Sequence, residues 1–248
     1  MSRIAYLVIF IMFLLNACGK NLEDPNPPAC PEWVSKSSPY DTTESGIDTD
    51  PNGDVIILEW YTGADEDIDT YRIYRASDIE DKFNLLDEVQ SQLTAGAVNT
   101  YLDENVAIDS PYYYFLRAVD QAGNYSPRSD TVGYKLLRKI NLYEPITSTI
   151  SDVKPTFKWS DPSSAASEYV IRVEQFNPNR TIWISALSRQ DYSDAIQSIK
   201  YGEGSVFFFA QNELSRSLIY RWRIDAVSAL DRENEAGSES NWGYFTTQ

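Results

Sequence analysis

The chain has 248 residues, with 37 Asp and Glu against 21 Lys and Arg, a formal net charge of −16 and no histidine. Such a polyanion is repelled by nucleic acid, and the lack of His removes the commonest general base and a frequent metal ligand. The only cysteines, Cys18 and Cys30, allow at most one disulfide and exclude Cys-rich zinc sites. The length suits one large or two small domains, and 17 Tyr, 10 Phe and 6 Trp tilt the composition toward β structure.

Arg3 precedes an apolar run from Ile4 to Leu15, too short for the roughly 20 residues a bilayer span needs. A basic start, a short apolar core and small residues at the exit form a secretory signal pattern over residues 1–17. Its ending, Leu15-Asn16-Ala17-Cys18, resembles the bacterial lipobox. That resemblance implies cleavage before Cys18 and attachment there of diacylglyceryl and N-acyl chains such as palmitate. The mature protein would then be a lipoprotein held in a membrane of the bacterial cell envelope. Gly19 departs from the aspartate that retains such proteins at the inner membrane, which favours the outer membrane. Lys20 with Glu23-Asp24 loosely resembles the signals that send some lipoproteins to the cell surface. Residues 18–31, with Pro25, Pro27, Pro28 and Pro31, read as a stiff exposed tether, leaving Cys30 without a partner in its own chain.

From Trp33 to Asp50 the chain is polar and irregular, with one weak strand. Alternation then predicts strands at Val55–Tyr61 and Ile68–Arg75, shorter ones at Phe83–Val89 and Asn99–Leu102, a long one from Tyr112, and a last one over Thr131–Leu137. In the long strand, Tyr112, Tyr114, Leu116 and Ala118 share one face. Many short strands in about a hundred residues argue for a β-sandwich.

These residues resemble a fibronectin type III domain. The carriers are Trp60, Tyr71 and the spacing Val106 … Tyr112-x-Tyr114-x-Leu116-x-Ala118, with Asp109-Ser110-Pro111 departing from the family's usual turn. The resemblance implies that Tyr112 is a tyrosine corner, its hydroxyl reaching back to upstream backbone. A second copy follows the same order: Phe157 and Trp159, then Tyr169, Ile171 and Val173, then Leu214 six residues before Tyr220. Ala236 to Ser240 answers Ala122 to Ser126, Phe245 falls on the closing strand, and the segment Asn177–Gly204, with Trp183 and Tyr192, reads as an insertion. The expected organisation is all-β: immunoglobulin-like, fibronectin type III sandwiches at 32–137 and 142–248, joined by a linker at 138–141 short enough to restrict their angle.

Chemistry is sparse. No phosphate loop, zincin or nucleophile elbow is present, and a Ser–His–Asp arrangement needs a histidine. The expectation is a protein that is not an enzyme and carries no cofactor, acting as a protein-binding or spacing module. Two alternatives stay open. Asp65, Glu66, Asp67 and Asp69 are either solvated acids or a loose calcium site, as an adhesin would use. Tyr61, Tyr74, Tyr113 and Phe115 fall outward, and with Trp183 they could stack on a glycan or fill a protein interface. A second acidic run, Asp231, Glu233, Glu235 and Glu239, follows the Tyr220 strand.

Overall fold

The computed structural model describes residues 25–92, 94–162, 165–189, 196–229 and 234–248. The expected signal segment and Cys18 lie outside these, as do Tyr192, Asp231 and Glu233. The described residues form strands β1 (Asp48–Asp50), β2 (Gly53–Tyr61), β3 (Ile68–Ala76), β4 (Asn84–Gln90), β5 (Val98–Asp103), β6 (Pro111–Asp120) and β7 (Val132–Leu136). After them come β8 (Asn141–Glu144), β9 (Ser148–Ile150), β10 (Thr156–Ser160), β11 (Glu168–Gln175) and β12 (Arg180–Ser188). The chain closes with β13 (Gln197–Lys200), β14 (Ser205–Phe209), β15 (Ile219–Ala229), β16 (Asn234–Glu239) and β17 (Gly243–Thr247).

In the first half, the sheet β1-β2-β5 faces the strands β4-β3-β6-β7. Alternation drives this packing: Ile56, Leu58 and Trp60 of β2 meet Tyr71 and Ile73 of β3 and Tyr114, Leu116 and Ala118 of β6, all buried in one core. The second half repeats the plan, with β8-β10-β13 facing β12-β11-β15-β17, and adds β14 at the outer edge of β12. Its core gathers Phe157, Trp159, Tyr169, Ile171, Trp222 and Phe245. Each core is keyed by the same edge-to-face pair. Trp60 meets Tyr71 at 5.7 Å, and Trp159 meets Tyr169 at 5.6 Å. The fold is therefore a tandem of two fibronectin type III-like β-sandwiches.

The tyrosine corner is present twice. Tyr112 Oη accepts the Ala107 N–H at 2.9 Å, and Tyr220 Oη accepts the Ser215 N–H at 2.9 Å. A matching serine latch follows in each copy: Ser129 Oγ accepts from Leu116 N–H, and Ser240 Oγ accepts from Ile224 N–H. Ser240 is thus the counterpart of Ser129 and not of Ser126, because the hairpin after β15 is longer than the one after β6.

The described end of the tether is exposed at Pro25, Asn26, Pro27, Ala29 and Cys30, but Pro28 and Pro31 are buried, and Ala29 N–H donates to Asp65 Oδ2 at 2.8 Å. Proline suits such docking because its ring is apolar and it brings no N–H to satisfy. The segment expected as an insertion supplies two strands of the sandwich, β12 and β13, paired to β11 and β10, and the added strand is β14.

The two sandwiches share one sheet. β7 pairs in parallel with β16, joining both larger sheets into one of eleven strands. Gly237 makes this possible, since a Cβ there would sit 2.7 Å from the Tyr134 hydroxyl and 3.1 Å from the Ala226 carbonyl. The linker is pinned as well. Leu137 N–H donates to Gly237 O, and Lys139 Nζ donates to the carbonyls of Asp50 and Glu239.

Candidate functional site

The densest arrangement of charge lies at the junction of the sandwiches. Residues 35–47 form a strap that leaves the first sandwich and lies on the outer face of β11 and β15. Asp41 N–H closes a turn onto Ser38 O, Ser37 N–H bonds Ser45 O, and Gly46 N–H bonds Glu59 Oε2. Gly46 has φ +84°, and a Cβ there would meet the Lys36 backbone at 2.6 Å, so the base of the strap requires glycine.

Under the strap sit Arg172 of β11, Arg223 and Asp225 of β15, and Glu239 of β16, all buried. Arg172 Nε is 2.7 Å from Asp225 Oδ2, and its other nitrogens donate to the carbonyls of Asp41 and Pro39. Arg223 reaches Asp225 Oδ1 at 2.8 Å and Glu239 Oε1 at 2.7 Å. Glu44, from the strap, pairs with both guanidiniums. Trp242 covers the far side, its ring 4.0 Å from the Arg221 guanidinium and 5.0 Å from that of Arg223. Tyr40 donates to Glu168 and stacks on Phe207 of β14, their rings 3.8 Å apart.

Burial and the neighbouring Asp225 carboxylate push the Glu239 carboxyl well above the usual range, and Glu44 is raised for the same two reasons. Burial alone would lower Arg223, but its acidic neighbours, the Asp225 carboxylate first among them, outweigh it and hold the guanidinium charged. A cavity of about 180 Å³ adjoins this network, lined in part by Lys36, Thr49, Tyr134 and Glu235. Thr49 Oγ1 is buried there without a hydrogen-bond partner. Among the described residues, Glu44, Asp225 and Glu239 are the one set of three carboxylates at metal-ligand spacing. Their oxygens already hold two guanidiniums, so the arrangement is an arginine–carboxylate lock in place of a cation site.

The residues singled out from sequence are not brought together. Trp183 is no exposed platform: it lies on β12, fully buried, 5.9 Å from Phe157 and 5.2 Å from Tyr201. Phe115 does point outward, yet it is buried because Tyr74 stacks on it at 4.7 Å, Phe83 packs at 5.0 Å and Arg128 lies over its ring. Tyr113, also on β6, is half-buried. Asp65, Glu66 and Asp69 are exposed and Asp67 is half-buried, and they do not form a three-carboxylate group at ligand spacing. Sequence reasoning missed Glu44, Arg172, Arg223, Asp225 and Trp242. Its available signal was the run of charges on the outward positions of β11 and β15, Arg172, Arg223 and Asp225 among them.

No protein-family model matches the chain, and no curated protein matches it. Among solved structures it is similar to the FN1–FN3 domains of chicken CNTN1, at 13% identity and a TM-score of 0.36. That match covers 90% of this chain and 68% of that one.

Proposed function

We propose that this chain is a non-catalytic module of the bacterial cell envelope, anchored by lipid on Cys18, that holds a binding surface at a set distance and angle from the membrane. The observation that supports this reading is the junction. A continuous sheet and a buried ion network join the two sandwiches into one stiff body, and the buried charges at the junction pair with one another. The Leu15–Cys18 pattern supports the anchor. Neither a glycan platform nor a calcium loop gains an observation of its own, since Phe115 and Trp183 are covered and the Asp65 cluster is spread out.

Cell fractionation tests the anchor. The wild-type chain is expected in the membrane fraction and Cys18→Ala in the soluble one; a variant that stays with membranes overturns it. Small-angle scattering tests the stiffness, and a profile that requires two freely jointed sandwiches overturns the spacer.

A further inference from the structure

The cavity of about 180 Å³ at the junction is walled by both sandwiches and by the strap. Asp48 and Thr49 of β1 come from the first sandwich, Asp225, Glu235 and Glu239 from the second, and Lys36 and Glu44 from the strap. Five of these are carboxylates, and among the described residues the cations that ion-pair with them number three. Lys36 holds Asp48 and Glu235, while Arg172 and Arg223 share the other three. The Lys139 ammonium is turned instead to the backbone carbonyls of Asp50 and Glu239. A second observation is independent of charge. Thr49 is 3% exposed and its Oγ1 has no hydrogen-bond partner, which is costly for a buried hydroxyl unless a bound group meets it.

We infer that this cavity is a binding site for a small primary ammonium ion that carries a short apolar chain. Charge selects a cation, because a wall with more carboxylates than paired cations attracts positive charge and repels anions. Size and lining select the chain. Ala226, Val227 and Ala236 offer apolar surface, and the volume is below the roughly 300–1,000 Å³ of pockets for drug-sized ligands. Thr49 Oγ1 selects a primary ammonium, which brings three N–H donors where a quaternary one brings none. Lys36 shows that the wall suits such a group: its Nζ donates to Ile47 O at 2.8 Å, lies 3.2 Å from Asp48 Oδ1 and sits over the Tyr134 ring at 5.2 Å. An ammonium leaves the guanidinium pairs intact, whereas a metal ion would need oxygens that those pairs hold. Glu239, whose carboxyl burial and Asp225 hold toward the protonated form, is the group that ionises when positive charge enters beside it. This inference goes beyond the anchored-module reading and does not rest on it.

Isothermal titration of the full chain in mild detergent with butylammonium chloride, at neutral pH and fixed ionic strength, tests the site. Saturable one-to-one binding is expected, with release of a proton, read as a heat that changes with the ionisation enthalpy of the buffer. Butan-1-ol, which keeps the chain and lacks the charge, and butyltrimethylammonium, which keeps the charge and lacks the N–H donors, are expected to bind more weakly by on the order of 10-fold or more. Thr49→Val keeps the side chain's shape, removes the acceptor and weakens butylammonium binding by on the order of 10-fold. Its melting temperature stays at or above that of the wild type, since a buried hydroxyl without a partner costs stability. A chain with no saturable binding overturns the inference. Binding without proton release, or binding that Thr49→Val leaves unchanged, is diffuse attraction of a cation to an acidic surface and overturns it too. Equal binding of butan-1-ol does the same, because the cavity would then select the chain and not the charge.

Discussion

Tyr112 and Tyr220 occupy the same place in their sandwiches, yet their hydroxyls are not equally important. Tyr112 is half-buried, and its partner Ala107 is exposed, so water replaces the lost acceptor when the hydroxyl is removed. Tyr220 is fully buried; besides accepting from Ser215 N–H, its hydroxyl lies 3.3 Å from Gln211 Nε2. Tyr112→Phe is therefore expected to cost at most about 1 kcal/mol, and Tyr220→Phe roughly 1–2 kcal/mol. Urea denaturation of the two variants checks the order, and an equal loss in both would show that burial does not grade the corner. The outward neighbours of these tyrosines diverge further. Tyr74 faces Phe115 across β3 and β6, whereas Arg172 faces Arg223 across β11 and β15 at the equivalent positions. One copy closes its outer face with a stacked aromatic pair, the other with guanidiniums that need a strap of carbonyls and carboxylates over them.

At the scale of the strand, legibility followed the number of buried faces. β2, β3 and β6 each turn one face to a core, so their alternation places Trp60, Tyr71 and Leu116 inward directly from the sequence. β12 is buried without a break from Ile182 to Ala186, which erases the period-two signal, and Trp183 then reads as an exposed aromatic in an insertion. Its position makes the opposite prediction. Trp183→Ala should leave any ligand or partner binding untouched while lowering stability by about 3–5 kcal/mol, the cost of emptying a large core site. Chemical denaturation measures that loss, and a change below 1 kcal/mol would contradict the core placement. β14 was invisible for a related reason, since a short apolar run has the same composition whether it closes a core or caps an open edge.

At the scale of the whole molecule, the lock between the sandwiches could not be read from sequence because its members come from four separate places: the strap, β11, β15 and β16. Nothing in the spacing of Glu44, Arg172, Arg223, Asp225 and Glu239 brings them together; the parallel pairing of β7 with β16 does. The continuous sheet across the junction was not legible in the sequence, since parallel pairing between domains leaves no local turn signal. A lock of this kind makes stability depend on pH in a particular direction. The Glu239 carboxyl is raised in the folded state, by burial first and by Asp225 second, so its proton is held more tightly there than in the unfolded chain. The stability from that proton is fully present below the ordinary carboxylate range. It is lost as pH rises through that range toward the raised folded value, because the unfolded chain ionises first. Glu239→Gln keeps an amide oxygen for Arg223 and has no proton to lose. The wild type should match it at acid pH and fall progressively below it as the medium becomes neutral and then alkaline. Melting temperatures of the two proteins across that span provide the check. Parallel curves would mean that the Glu239 carboxyl titrates alike in the folded and unfolded chains, so that Arg223 offsets burial and Asp225 at the junction.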